Sequence, residues 1–506
     1  MYQEKRIAKN TMFLYIRMLL IMGVTLYVSR VVLSVLGVED FGLYNVVGGV
    51  VTMFTFLNGS LGAATSRYIT FELGKNSYER LKRIFNAALV VHIFIAILII
   101  ILAETIGLWF LYEKLNIPEQ RFSAALWVYQ LSILTTFFSM TQVPYQATII
   151  AHEDMKIYAY VGLVDAFLRL IIVYLIVYSP IDRLVFYAAL LCFLHIGVMI
   201  FYRWYCVKRY KESKIDFCFD KSLYKEIFTF SGSDLIGHVA VLAQGQGMNI
   251  LLNIFFGPVV NAARAIAYQV QGAITQFSNN FMTAVRPQII KSYAEGNIDD
   301  MWRLVIQSSC FSYYLMLFIC LPLCLETDTI LQLWLGNFPD HSVSFLILII
   351  FLCLIQTLKT PRSIIFHAMA KVFWSNITVG VVLCLAFPLA YVLLRHGGAP
   401  ESVFWASNIT MLLSELVSVI VLRHFLKFSI VGYFIKVHGR CILVTILSGL
   451  IPFLIYDLFM EAGFARLLFT CMQTSISVCL ISLYVGMDKS MRSKFYKVVK
   501  NRFHKH

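Results

Sequence analysis

The chain has 506 residues, 59% of them hydrophobic and 14% charged, with a mean hydropathy of +0.75 and a formal net charge of +14. Length alone would suggest three or so soluble domains of about 150 residues each, but apolar runs of about 18 residues or more recur throughout, each long enough to cross a bilayer. That excludes a soluble multidomain protein, and since the runs lack the alternation of barrel strands, a bundle of membrane-spanning helices is left.

Fourteen spans are expected, at about 11–36, 41–66, 84–111, 122–150, 158–180, 184–202, 227–256, 261–285, 304–326, 341–358, 373–394, 402–422, 441–457 and 464–487. The first run is not followed by a small-residue cleavage site and reads as a retained span. With the amino terminus (Lys5, Arg6, Lys9) inside, the cytoplasmic segments hold 33 of the 42 Lys and Arg, and the outer loops hold only Lys114, Arg121, Arg183, Arg395 and Arg466. Basic residues favour the cytoplasmic side, so this distribution puts both termini in the cytoplasm. It also explains the net charge without nucleic acid. Eleven cysteines lie mostly inside apolar runs and form no CxxC pair, which suggests neither a disulfide framework nor a zinc site.

The longest cytoplasmic connection, within 203–226, separates the first six spans from the rest. The expected organisation is an amino-terminal lobe (1–206), a linker (207–226), a second lobe (227–425), two extra helices (426–487) and a basic tail (488–506). An internal repeat supports two lobes. At an offset of 220, Gly37 falls on Gly257, Ala64 on Ala284, Ile69 on Ile289 and Arg83 on Arg303; at an offset of 217, Pro144 falls on Pro361, Ala151 on Ala368 and Tyr174 on Tyr391. A shift of six helices preserves orientation, so the six-helix lobes should be related by a pseudo-symmetry axis along the membrane normal, as transporter halves are.

Charges inside spans are costly, at least about 2.5 kcal/mol each, so they are the functional candidates. Arg30 lies shortly before the turn at Leu36–Gly42, and Arg264 is similarly placed at the start of span eight. Two guanidiniums facing one cavity from opposite walls would suit a pyrophosphate, which arginine binds bidentately while keeping its charge. Asp165 and Arg169 share a helix face at i, i+4, as a structural ion pair or as one that opens to pass a proton or to receive substrate. Asp234 and His238 share a face of span seven, where a proton or cation site and cavity-lining polar residues are both open readings. Glu415 is a lone carboxylate in span twelve, either a coupling residue or a helix-packing contact. The lone histidines His92 and His195 read as hydrogen-bonded structural residues. There is no P-loop, dinucleotide fingerprint or HExxH motif, so active transport would draw on an ion gradient or the membrane potential.

The runs RVVLSVLGVEDFGLYNVVGGVV and GPVVNAARAIAYQVQGAITQFSNNFMTAVRPQIIKSYAEG closely resemble bacterial polysaccharide flippases of the O-antigen and capsule type, in the multidrug/oligosaccharidyl-lipid/polysaccharide exporter superfamily. The resemblance implies translocation of an undecaprenyl-pyrophosphate-linked oligosaccharide from the inner to the outer leaflet of the bacterial cytoplasmic membrane, with Arg30 and Arg264 as headgroup ligands. Membrane lipids and polysaccharide assembly proteins are the other partners it suggests. Related lipid II flippases have a cation site in the second lobe, and Asp234 with Asn376 occupies positions that suit it. A proton or Na+ is the candidate coupling ion and no other cofactor is expected, although the second acid expected near Asn376 is missing. A drug or cation antiporter of the same superfamily is the nearest alternative, and four arginines within spans argue against it. A membrane-embedded glycan polymerase or ligase would need a larger outer loop than this chain has, so a transporter rather than an enzyme is expected.

Overall fold

The computed structural model describes residues 2–53, 78–152, 154–216, 244–369, 371–456 and 463–487, together with Gly62, Thr65, Tyr68, Ile69, Glu72, Leu73, Leu223, Tyr224 and Arg492; within 2–18 and at scattered positions only the backbone is described. Among the described residues every regular element is helical. The principal helices are α1 (Tyr2–Met53), α2 (Tyr78–Leu102), α3 (Phe122–Ala151), α4 (Met155–Val177), α5 (Arg183–Arg209), α6 (244–256), α7 (Pro258–Ala294), α8 (Ile298–Leu325), α9 (Ser342–Ala368), α10 (Val372–Cys384), α11 (Ala386–Arg395), α12 (Ser402–Phe425), α13 (Ile430–Tyr456, with a π-turn at Ile435–Gly439) and α14 (Phe464–Ile481).

Among the described residues eleven helices are long and apolar enough to cross a membrane. Three features separate this number from the fourteen expected. Expected spans one and two run together in α1, whose 52 residues are interrupted at Gly37. Span seven falls largely in 225–243, outside the described residues. Span eight is α7, whose 37 residues carry enough Asn, Gln, Ser and Arg to keep it out of the apolar set.

The described chain divides into two compact units, Met1–Ala265 with Ala390–His396, and Ile266–Leu389 with Gly397–His506. In the first, Leu43, Val46, Val47 and Val50 of α1 form a core with Ala125, Val128 and Tyr129 of α3, Leu184 and Ala188 of α5, and Ile250 of α6. Asp182 caps α5 by accepting from the backbone N–H groups of Leu184 and Val185 at 3.0 and 3.2 Å. In the second, Met282 and Ile289 of α7 pack with Met301 and Val305 of α8, Ile364 to Phe366 of α9, and Leu422 of α12.

Several residue pairs of the repeat occupy matching positions. Gly37 and Gly257 have φ of 81° and 80°, a left-handed conformation that costs glycine no Cβ clash, and each breaks the chain between two helices. Ala151 ends α3 and Ala368 ends α9, and in each helix a proline, Pro144 or Pro361, lies seven residues before that end. Ile69 and Ile289 are both fully buried.

Two expected boundaries are corrected. Span ten was expected to stop at 358, with Lys359 and Arg362 on the cytoplasmic side; α9 instead continues through Pro361 to Ala368, and Arg362 lies inside it. Span thirteen was expected from 441, but α13 begins at Ile430 and carries Lys436 and His438 within its π-turn.

Candidate functional site

The second unit holds an ion pair sealed from solvent. Arg362 of α9 donates from Nη1 to Glu415 Oε2 of α12 at 2.8 Å and from Nε to Ser418 Oγ at 3.2 Å, and the two charged side chains are 1% and 2% exposed. A buried carboxylate survives only with a partner of opposite charge and further hydrogen bonds, which explains why the lone Glu415 of the sequence is tolerated. Its partner is 53 positions away. His438 Nε2 in the π-turn of α13 lies 3.8 Å from the same carboxylate oxygen. Tyr433 also faces Arg362, and Lys359 adds a second positive charge near Glu415. Arg362 and His438 entered the site through tertiary packing, with no signal in their own surroundings.

The first unit has a looser counterpart. Arg169 Nε donates to Asp165 Oδ2 at 2.8 Å along α4, with the side chains 34% and 28% exposed. Arg169 Nη2 lies 3.3 Å from His195 Nε2, and His195 Nδ1 lies 3.5 Å from Ser139 Oγ. A guanidinium can only donate, so His195 accepts at Nε2 and carries its proton on Nδ1, toward Ser139. The i, i+4 pair is present as expected, and His195 joins it through α5. His92, by contrast, is fully buried and pairs Nδ1 with Ala88 O of its own helix at 2.8 Å, a structural arrangement.

Arg30 and Arg264 both fall in the first unit, each seven residues from its positive-φ glycine, about 10 Å along a helix. Their environments differ. Arg30 is exposed, whereas Arg264 is 7% exposed and donates from Nη2 to the Gly245 carbonyl of α6 at 2.6 Å. Around Arg264, asparagines tie α6 to α7, to α1 and to the connection at Asn116. Asn261 Nδ2 donates to Asn249 O at 2.6 Å, Asn249 Nδ2 donates to Asn45 O at 3.3 Å, and Asn253 Oδ1 accepts from the Asn116 backbone N–H at 2.8 Å. Gly42 makes this approach possible, because a Cβ there would stand 1.9 Å from Pro258 O.

Asp234 and His238 lie outside the described residues, and Asn376 is a half-buried residue on α10. Among the described residues no group of three or more His, Cys, Asp or Glu is arranged to hold a metal ion.

The architecture matches solved transporters. Lipid II flippase MurJ in an inward closed conformation is 11% identical, with 96% of this chain and 99% of that chain covered at a TM-score of 0.68. An inward-facing multidrug resistance transporter of the MATE family is 14% identical over 81% of this chain and 97% of that one, with a TM-score of 0.65. A transporter from Pyrococcus furiosus is 15% identical over 81% and 93%, with a TM-score of 0.60. These likenesses show the fold, which is that of solved MOP superfamily transporters, and with eleven long apolar helices among the described residues it is that of a multi-pass membrane protein. Within that class, the chain belongs to the polysaccharide biosynthesis protein family, whose sequence model matches residues 7–293. No curated protein matches the sequence.

Proposed function

We propose that the protein is a flippase carrying an undecaprenyl-pyrophosphate-linked oligosaccharide from the inner to the outer leaflet of the bacterial cytoplasmic membrane, for O-antigen or capsule-type surface polysaccharide. The observation that carries this reading is the polysaccharide-biosynthesis family match across residues 7–293 on a chain with a transporter fold. A hydrophilic glycan cannot cross hydrocarbon unaided, so its carrier must supply a polar path while the lipid tail stays in the bilayer. In the proposed cycle two six-helix lobes, 1–206 and 227–425, rock about the 207–226 linker with both termini in the cytoplasm, and 426–487 guides the tail.

Arg30 is the proposed first contact for the pyrophosphate, since it is exposed and a guanidinium binds phosphate oxygens bidentately. Arg264 would join it once the bond to Gly245 opens. Asp165–Arg169 with His195, and Glu415–Arg362 with His438, are the proposed gating or proton-coupling groups, because each sets a carboxylate–arginine pair in a span beside a histidine, on the arginine in the first and on the carboxylate in the second. Asp234, His238 and Asn376 remain the proposed cation-site residues.

The test is reconstitution in liposomes with a fluorescent undecaprenyl-pyrophosphate glycan and an impermeant reagent that reads the outer leaflet. Wild type should exchange the glycolipid between leaflets, and Arg30→Ala should slow exchange about tenfold or more, the effect of losing a bidentate charge-assisted contact. The likeness to a multidrug MATE transporter motivates a second reading, ion-driven efflux of cationic drugs. Dye efflux without glycolipid exchange would establish that reading instead.

A further inference from the structure

Within the second unit, α7 and α9 enclose a cavity of about 300 Å³ to which α8 contributes Met316. The residues facing it follow one pattern on both helices. On α7 they fall at Tyr268, Gln271, Gly272, Thr275, Ser278 and Asn279, and on α9 at Cys353, Gln356, Thr357 and Thr360. The series i, i+3, i+4, i+7 defines a single helix face, so two polar stripes line one trough. Its α7 wall runs from Tyr268 to Asn279, about 17 Å along the helix.

The chemistry of the lining is selective. Among the described residues that line the cavity none is charged, which disfavours a pyrophosphate or a cationic drug there. Thr275, Thr357 and Thr360 donate their hydroxyl protons to carbonyls of their own helices, at 2.8, 2.8 and 3.2 Å, which leaves oxygen lone pairs as acceptors. Gln271, Gln356 and Asn279 add amides that both donate and accept, and Tyr268 adds an aromatic ring. A ligand that matches is uncharged, dense in groups that both donate and accept, and has an apolar face for an aromatic ring. Sugar rings have all three properties, and the volume lies at the lower end of ligand pockets, about 300–1,000 Å³.

We infer that the α7/α9 trough is a saccharide subsite, which holds neutral sugar residues of the transported glycan by hydroxyl and amide contacts apart from the arginines proposed for the pyrophosphate. The inference rests on the flippase reading, in that it assigns the glycan of that substrate to a place. It locates sugar selectivity in Gln271, Gln356 and Thr357, with Gly272 keeping the trough open. A Cβ at Gly272 would meet nothing within 4 Å, so a larger side chain there would fill the space rather than disturb the fold.

The experiment uses the full chain in nanodiscs and, as probe, the free oligosaccharide released by mild acid from the polyprenyl-linked glycans of the host cell. Binding is read by saturation-transfer NMR and titration calorimetry for wild type, Gln271→Ala/Gln356→Ala and Gly272→Leu. Wild type should bind the probe, and both variants should bind it about tenfold more weakly or worse. Gly272→Leu should keep the wild-type melting temperature, because leucine is the better helix former. No binding by wild type, or equal binding by wild type and a folded Gly272→Leu, overturns the subsite. Glycolipid exchange measured on the same preparations separates the two claims: exchange by wild type and Gly272→Leu at equal rates overturns the subsite and leaves the flippase standing. No exchange by wild type, together with no probe binding, removes both.

Discussion

Each unit of this protein places an arginine, a carboxylate and a histidine together, and the two clusters differ in how they are held. Asp165 and Arg169 are neighbours on one helix, about a third exposed, and their geometry needs only α4 to form. Glu415 and Arg362 lie 53 residues apart in sequence on two helices and are almost wholly buried, so their geometry exists only when α9, α12 and α13 pack. The first cluster can open at lower cost wherever its exposed face meets a water-filled path, because water there can replace a lost partner. The second cannot, because a buried charge without its counter-charge has nothing to solvate it. The physical expectation is a mobile cluster in one unit and a fixed one in the other.

The largest effect should come from splitting the sealed pair. Arg362→Ala strands the Glu415 carboxylate and should cost about 3–5 kcal/mol, read as a large fall in the melting temperature of the detergent-purified protein. A fall no greater than that of Arg169→Ala would erase the contrast between the clusters. Replacing both partners, Arg362→Met with Glu415→Leu, sharpens it. Stability should return to within about 1 kcal/mol of wild type, since apolar residues of similar volume satisfy the site, while glycolipid exchange falls. Retained exchange in that variant would make the pair purely architectural.

Arg169→Gln should lower stability by about 1 kcal/mol or less, as for a partly exposed ion pair, yet slow exchange, and pulse labelling at the His195 imidazole should report the altered partner. A loss of stability equal to that of Arg362→Ala would show the first cluster to be fixed as well.

The smallest effect concerns the ends of α9 and α12, where Ser344 Oγ and His341 Nδ1 each lie 2.7 Å from Glu401 Oε1. Burial alone would raise the Glu401 carboxyl, but hydrogen bonds from Ser344, His341 and its own backbone override it and hold it below its ordinary value of 4.5. A carboxylate with a lowered folded value contributes stability above its unfolded value and loses it as pH falls through the folded one. The melting temperature should therefore drop below about pH 4.5, and Glu401→Gln should flatten that limb. An unchanged acid limb in the variant would assign the pH dependence to other carboxylates, among them Asp182, which Arg121 holds low against its burial.

These clusters also show which parts of the molecule could be read from its sequence. Helical spans, the glycine breaks at Gly37 and Gly257, and the Asp165–Arg169 pair depend on local spacing and were legible. Arg362 was not, because Lys359, Thr360 and Pro361 before it look like the exit of a span, and only the distant Glu415 makes continued burial tolerable. His438 was hidden in the same way, since Lys436 and Arg440 on either side read as a cytoplasmic loop while α13 carries them as helix. Arg264 stood out in the sequence as a charge within a span, but its bond to Gly245 depends on how α6 meets α7. The α7/α9 trough escaped notice because its amides and hydroxyls are interleaved with apolar residues, and they become one surface only when two helices face each other.

The central claim is that this family member moves a lipid-linked glycan between leaflets, and exchange in liposomes tests it most directly. With purified protein and a fluorescent undecaprenyl-pyrophosphate oligosaccharide, the account predicts leaflet exchange well above protein-free vesicles and a loss of about tenfold or more in Arg30→Ala. Exchange no faster than in protein-free vesicles, from wild-type protein that is folded and monodisperse, would contradict it.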